Sequence, residues 1–217
     1  MAEPQQDDPA APTDDTELGA RIRTLRVERG RSLRALAEEL GISPSALSQI
    51  ERGKMRPSVT RLIQIMSLLD APLAAAFGNG TQAQGDGQQA GPEAADRHRT
   101  WSSTMGDEVV VTRSGDVATL MLGQGVRYRR LSPVPITGLE IYESTYPPGS
   151  SSTHDDEYLR HDGHELGSVQ SGTLTVDIGF DRYELGPGDA ITFPSTTPHR
   201  ISNHTAVPAV AVWVNLR

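Results

Sequence analysis

Two histidines and a glutamate in the C-terminal half have the residue types for metal chemistry. His161 and Glu165 lie four apart in LRHDGHELGSVQSGTLTV, and His199 follows 34 residues after Glu165 in FPSTTPHRISN. Two neutral imidazole nitrogens and one carboxylate suit Fe(II), Mn(II), Zn(II) or Ni(II) and leave coordination positions open for a ligand. Spacing alone leaves a second reading open, that these are ordinary loop and surface histidines. In the N-terminal third, Ser45, Ser48, Gln49 and Arg52 fall on the outward side of a short segment after Gly41-Ile42-Ser43. Gln49 can offer a bidentate amide to adenine, and the two serine hydroxyls can read either base type. Arg52, Lys54 and Arg56 can neutralise phosphates.

The elements around the second group are short helices. Leu18, Ile22, Leu25 and Val27 recur at helical spacing from Glu17, and Gly30 stops that run. Ser32 caps LRALAEEL, which ends at Gly41. Ser43 caps a third helix with Pro44 at its first position, where the missing N–H is harmless; Ala46, Leu47 and Ile50 face inward and Gly53 ends it. Ser58 caps VTRLIQIMSLLD, and Pro72 opens a fifth helix, PLAAAF. Two helices joined by a three-residue turn, the second presenting polar side chains, match what a DNA major groove admits.

Residues 21–77 resemble the helix-turn-helix of the XRE family, which includes phage repressors and Cro. The resemblance rests on Ser32, Leu36, Ala37, Gly41, Ser43, Leu47, Ser48, Glu51, Gly53, Pro57 and Ser58. It implies a five-helix, lambda-repressor-like bundle and base-reading positions at Pro44, Ser45, Ala46, Ser48 and Gln49. Glu51 and Arg52 are then structural or backbone-contacting. The whole expected DNA-contacting set is Ser43, Pro44, Ser45, Ala46, Ser48, Gln49, Arg52, Lys54 and Arg56.

The sequence divides into four parts. Residues 1–15 are a Pro-, Ala- and Asp-rich tail expected to be disordered, and residues 16–77 form the helical domain. Residues 78–100, rich in Gly, Gln and Ala, read as a flexible linker that lets two domains move independently. Residues 101–217 carry short runs of strand character, EVVVTR, VATLML, GLEIYESTY, GTLTVDIGF, DAITFP and AVPAVAVWVNL, which point to an all-β sandwich or barrel.

Two stretches in that region, 149–172 and 188–203, resemble the signature motifs of cupins, which implies a jelly-roll (double-stranded β-helix) barrel. The second stretch carries Gly188, Asp189, Pro194, His199 and Asn203, with Thr196 where glycine is usual. The first carries His161, Glu165 and Gly172, but Leu159 stands where cupins have their first histidine, and the stretch is longer than usual by about four residues. The resemblance therefore excludes a four-ligand site and leaves His161, Glu165 and His199, the 2-His-1-carboxylate set. That set also resembles the iron site of hydroxypropylphosphonate epoxidase, which joins a Cro-like domain to a cupin, so an iron enzyme is the alternative reading.

The remaining candidates read as structural. His164 neighbours Glu165, so strand alternation points it to the opposite face, and Arg160 and Arg200 face away for the same reason. His98 lies in the linker, His154 and Asp155-Asp156-Glu157 on a solvated acidic loop, and His204 in a turn. Tyr142, Tyr146, Phe193 and Trp213 read as core.

Composition narrows the classes further. The chain has 217 residues and no cysteine, which excludes disulfide scaffolds and thiol catalysis. Net charge is −8, yet residues 17–77 hold ten of the 20 Lys and Arg against six acids, an asymmetry typical of a small nucleic-acid-binding module. No apolar run approaches the roughly 18 residues that span a bilayer, and the acidic N-terminus is unlike a signal peptide, so a cytoplasmic protein without membrane contact is expected. The expected whole is a homodimeric regulator that binds an inverted-repeat operator in double-stranded DNA and a small-molecule effector in the cupin domain. A divalent metal in the barrel is optional.

Overall fold

The computed structural model describes residues 15–77, 109–113, 116–134, 136–154 and 157–217. The expected tail 1–15, apart from Asp15, and the whole of the expected linker 78–100 lie outside these residues.

Four helices form the first domain: α1 (Asp15–Glu28), α2 (Leu33–Glu39), α3 (Pro44–Glu51) and α4 (Val59–Leu68). The three predicted serine caps are in place. Ser32, Ser43 and Ser58 accept from the backbone N–H groups of Ala35, Ala46 and Arg61, each at 3.1 Å. Each satisfies one N–H that a helix start leaves without a partner, worth about 1 kcal/mol. Leu18, Ile22, Leu36, Leu47, Ile50, Leu62 and Ile65 bury the shared core. Val27 is 59% exposed and lies outside it. The predicted fifth helix is a single 3-10 turn, Leu73–Ala76; the chain is already extended at Phe77, which stacks on Tyr142 of the β domain.

Among the described residues, nine strands make a β-rich second domain. A six-stranded antiparallel sheet runs in the order β1 (Thr119–Met121), β2 (Arg127–Arg130), β3 (Leu139–Tyr146), β9 (Ala209–Leu216), β4 (His164–Ser171), β7 (Ala190–Pro194). A three-stranded sheet has the order β6 (Asp181–Leu185), β5 (Leu174–Ile178), β8 (His199–Ser202). Among the described residues no strand pairing joins the two sheets into a closed barrel. Val109, Val110 and Val111 of the predicted first strand are exposed and unpaired in any sheet.

The alternation along β3 buries Glu140, Tyr142, Ser144 and Tyr146 on one face. That inner face is completed by Trp213 on β9 and Gly167 on β4, which stand opposite one another. A Cβ on Gly167 would lie 2.4 Å from the indole ring, so glycine is what allows Trp213 to lie across β4.

The two domains are in direct contact, where a flexible linker alone predicted independent motion. Helix α4 and the 3-10 turn lie against the β1–β3 end of the inner face, and Val59, Leu62, Ile63, Leu73 and Phe77 meet Leu120, Leu122 and Tyr128 there. Phe77 stacks on Tyr142 with ring centroids 5.4 Å apart. Backbone hydrogen bonds from Thr60 to Ser152 (2.9 Å) and from Gly123 to Pro57 (2.8 Å) cross the boundary. No helix among the described residues is long and apolar enough to cross a membrane.

Candidate nucleic-acid interface and metal centre

In the helical domain, α3 is held from behind. The Arg26 guanidinium of α1 donates from Nε and Nη2 to the two Glu51 oxygens at 2.6 and 2.9 Å, and from Nη1 to the Arg31 carbonyl at 2.9 Å. The hydrogen bond to Glu51 raises the Arg26 pKa above its ordinary value. Glu51 is buried and is therefore structural. The helices cross closely because Gly19 carries no Cβ; one would lie 2.5 Å from the Ile50 carbonyl oxygen.

The other face of α3 stays open. Ser43, Pro44, Ser45, Arg52, Lys54 and Arg56 are exposed, and Ala46, Ser48 and Gln49 are half-buried at its margin. All nine residues of the predicted contact set thus line one stretch of α3 and its flanking turns; Lys54 and Arg56, at its end, also line a cleft shared with Gly123, Gln124 and His154 of the β domain. Ser43 is the N-cap of α3, its hydroxyl engaged by the Ala46 N–H. Arg56 is held by Asp15, at 2.8 Å from Nε to both carboxylate oxygens, so a phosphate would have to replace that carboxylate.

In the β domain, His161 precedes β4, Glu165 is its second residue and His199 opens β8, so the two sheets bring the three together. One ligand atom from each lies within 4.8 Å of the others. Nε2 of His161 is 2.6 Å and Nε2 of His199 is 3.1 Å from the same Glu165 oxygen. The side chains are 4%, 2% and 7% exposed in the order His161, His199, Glu165. His161 Nδ1 donates to the Asp162 carbonyl at 3.0 Å and His199 Nδ1 to the Thr197 carbonyl at 2.9 Å. A carbonyl on each Nδ1–H leaves Nε2 as the lone-pair nitrogen of a neutral ring, the arrangement of metal-bound histidines. His199 Nε2 is buried and makes no hydrogen bond. The donor set therefore fits a divalent ion.

Burial pushes the Glu165 carboxyl up, but in the metal-free site the proximity of the two imidazoles, His161 above all, outweighs it and holds the pKa at about 2. Burial likewise opposes charge on His161, and the Glu165 carboxylate more than offsets it, so the His161 pKa is raised. Burial, with a smaller contribution from the Glu165 charge, raises the pKa values of Tyr128 and Tyr146 and keeps both phenols protonated. The buried Tyr146 hydroxyl and Ser195 Oγ have no hydrogen-bond partner.

Leu159, at the position of the absent histidine, is buried and exchanges backbone hydrogen bonds with His199 at 2.9 and 3.0 Å. It helps position the strand that carries His199. His164, His154 and His204 are exposed, and Tyr142, Tyr146, Phe193 and Trp213 are buried, as their settings suggested. Glu157 is exposed, as expected of the acidic loop, and in addition accepts from Arg61 Nη2 at 3.0 Å across the domain boundary. Sequence reasoning also missed Glu140, a buried acid on a strand, whose only local signal is an acidic residue at an inward position of the alternation.

Comparison with known proteins agrees with this two-part geometry. The Helix-turn-helix family matches residues 22–75 and the Cupin domain family matches residues 142–215. The HTH-type transcriptional regulator PuuR of Escherichia coli (strain K12) is 27% identical over 188 residues, covering 87% of this chain and 88% of that protein. The crystal structure of an HTH_3 family transcriptional regulator from Vibrio cholerae superposes with a TM-score of 0.62 at 25% identity, covering 94% of this chain and 97% of the other. Hydroxypropylphosphonic acid epoxidase from S. wedmorenis aligns over 95% of this chain and all of its own, but at 17% identity and a TM-score of 0.43, too low to carry a functional argument. The chain therefore consists of an XRE-type helix-turn-helix domain followed by a cupin domain and is homologous to HTH-type transcriptional regulators.

Proposed function

We propose that this chain is a sequence-specific DNA-binding transcriptional regulator whose cupin domain senses a small molecule. The observation that carries the reading is the open face of α3: its back is locked by Arg26 and Glu51, while Ser43, Pro44, Ser45 and Arg52 are exposed and Ala46, Ser48 and Gln49 are half-exposed beside them. Gln49 and the serines supply base readout, and Arg52, Lys54 and Arg56 supply phosphate contacts. So few base-reading groups give one domain little specificity. Two copies related by a two-fold axis, reading half-sites about 34 Å apart, supply the remainder, and the expected operator is an inverted repeat.

The inner face of the jelly-roll cupin fold is the proposed sensor. His161, Glu165 and His199 would hold one divalent ion, Fe, Zn, Mn or Ni, which when bound offers open positions to an effector. His161 and His199 then supply Nε2 and Glu165 its carboxylate, while the Asp162 and Thr197 carbonyls keep both rings oriented. An effector controls DNA binding only by its different affinities for the competent and incompetent arrangements, typically 1–3 kcal/mol of coupling. The test is selection of bound sequences from random DNA, followed by affinity measurements on the winner with and without metal and metabolites. Enrichment of an inverted repeat is expected; no sequence preference would overturn the reading.

The ligand cluster itself favours one further reading, a mononuclear iron oxygenase or epoxidase that retains its helix-turn-helix domain. Iron-dependent oxygen uptake with a candidate substrate would establish it. An enzyme, however, gains nothing from a polar face on α3 flanked by the three cations Arg52, Lys54 and Arg56.

A further inference from the structure

Resting on the sensor reading above, we propose that Glu140 latches the DNA-binding domain to the cupin sheet and is the residue through which occupancy of the His161–Glu165–His199 site reaches that domain. Glu140 is a buried carboxylate on the inner face of β3. Its Oε1 accepts two hydrogen bonds, one from the backbone N–H of Ala74 and one from the Tyr142 hydroxyl, each at 3.0 Å. Ala74 lies in the 3-10 turn that ends the helical domain, and that turn is tied to α1 by a hydrogen bond from Arg21 Nη1 to the Ala76 carbonyl at 3.1 Å. A sheet carboxylate thus holds the DNA-binding domain by its last turn, with Phe77 stacked on Tyr142 beside it.

The same residue stands in a row that leads to the metal cluster. Glu140 pairs in register with Asn215 on β9, and Asn215 pairs in register with Glu165 on β4. Residues directly opposite on antiparallel strands project from the same face with Cβ atoms about 5 Å apart. All three are buried. Two of their oxygens, Glu140 Oε2 and Asn215 Oδ1, are buried without any hydrogen-bond partner. Such orphans are rare, and two on adjacent residues of one row mark a place where polar groups rearrange. The Asn215 amide has two N–H donors between two carboxylates, so it can turn toward Glu165 or toward Glu140. An ion that engages Glu165 removes one of those choices, and the amide then satisfies Glu140 Oε2 and alters the latch. This is a two-state element which both ends can bias, the physical requirement for coupling.

The test uses the full chain and follows amide hydrogen exchange of residues 73–77, with Zn(II) alone as the probe. Without metal, Glu140→Ala should exchange at 73–77 at least tenfold faster than wild type, and Glu140→Gln, whose amide oxygen can still accept from Ala74, should restore most of the protection. Unchanged exchange in Glu140→Ala would overturn the latch. With Zn(II), wild-type exchange at 73–77 should shift at least threefold, and Glu140→Gln, while still binding about one zinc, should lose that shift. A wild type that binds zinc without any shift, or a full shift in Glu140→Gln, would overturn the coupling. Zinc stoichiometry is measured separately, so a wild type that binds none overturns the metal reading and the coupling with it, whereas the latch is decided by the metal-free comparison. If Glu140→Ala does not fold, Asn215→Ala, which leaves the Ala74 hydrogen bond intact, must abolish the zinc shift while preserving metal-free protection.

Discussion

The Arg26 guanidinium grips the Glu51 carboxylate in a two-point, buried fork at 2.6 and 2.9 Å, and this pair ties the last residue of α3 to α1. Removing one partner leaves the other charge buried and unpaired, which costs about 3–5 kcal/mol. Arg26→Ala or Glu51→Ala should therefore lower the stability of the helical domain by about that amount and abolish DNA binding without touching a DNA-facing side chain. Urea unfolding followed by circular dichroism measures the first effect and fluorescence anisotropy the second.

Base readout and phosphate contact should separate by mutation. Gln49→Ala should relax preference at one base pair per half-site, at a cost of about 1–3 kcal/mol. Arg56→Ala should weaken all sequences alike and flatten the salt dependence. Because Arg56 is held by Asp15 in an exposed ion pair worth at most about 1 kcal/mol, Asp15→Asn should raise affinity at low salt by up to about fivefold. Titrations at several salt concentrations check all three.

Metal content tests the cluster. Tag-free protein purified without chelator should carry close to one divalent ion per chain, and His199→Ala should lose it, since His199 supplies a buried Nε2 that no hydrogen bond occupies. Elemental analysis of the two proteins side by side is the measurement, with iron, zinc, manganese and nickel offered in turn.

The pH profile of the metal-free protein follows from the same three residues. Glu165 has its pKa lowered to about 2, so its contribution to stability is complete above its ordinary value near 4.5 and is lost as pH falls toward 2. His161 has its pKa raised, so its contribution is complete below 6.5 and is lost as pH rises through the raised value. Stability from the cluster should therefore peak between about pH 4.5 and 6.5 and decline on either side. Metal affinity should instead increase as pH rises through the His161 pKa, because the ion needs the neutral ring. Thermal melts across pH, with and without zinc, reveal the opposite trends.

The inner face of the cupin sheet should not tolerate a methyl group at residue 167. Trp213 donates from Nε1 to Ser144 Oγ at 3.0 Å with its ring over Gly167, and a Cβ there would overlap it. Gly167→Ala should cost about 1–3 kcal/mol as an overpacked core site and shift the tryptophan emission.

Much of this protein is decided by neighbours along the chain. Serine caps at 32, 43 and 58, Pro44 at a helix start and the glycines at 30, 41 and 53 act within a few residues, so helices α1–α4 and the face of α3 are legible without a fold. His161, Glu165 and His199 are also legible as a set, through the cupin resemblance, where spacing alone leaves them open to a surface reading. Only the tertiary structure decided what joins distant segments. It brought Nε2 of both histidines onto one Glu165 oxygen, because β4 and β8 belong to different sheets that face each other across the core. It reduced the fifth helix to one turn, because docking on the sheet holds Phe77 extended against Tyr142. It also set Glu140 beside Ala74, 66 residues away. An acid at an inward strand position is a cost that local pattern cannot explain, since the hydrogen bonds that offset its burial come from an element that only the folded chain brings near.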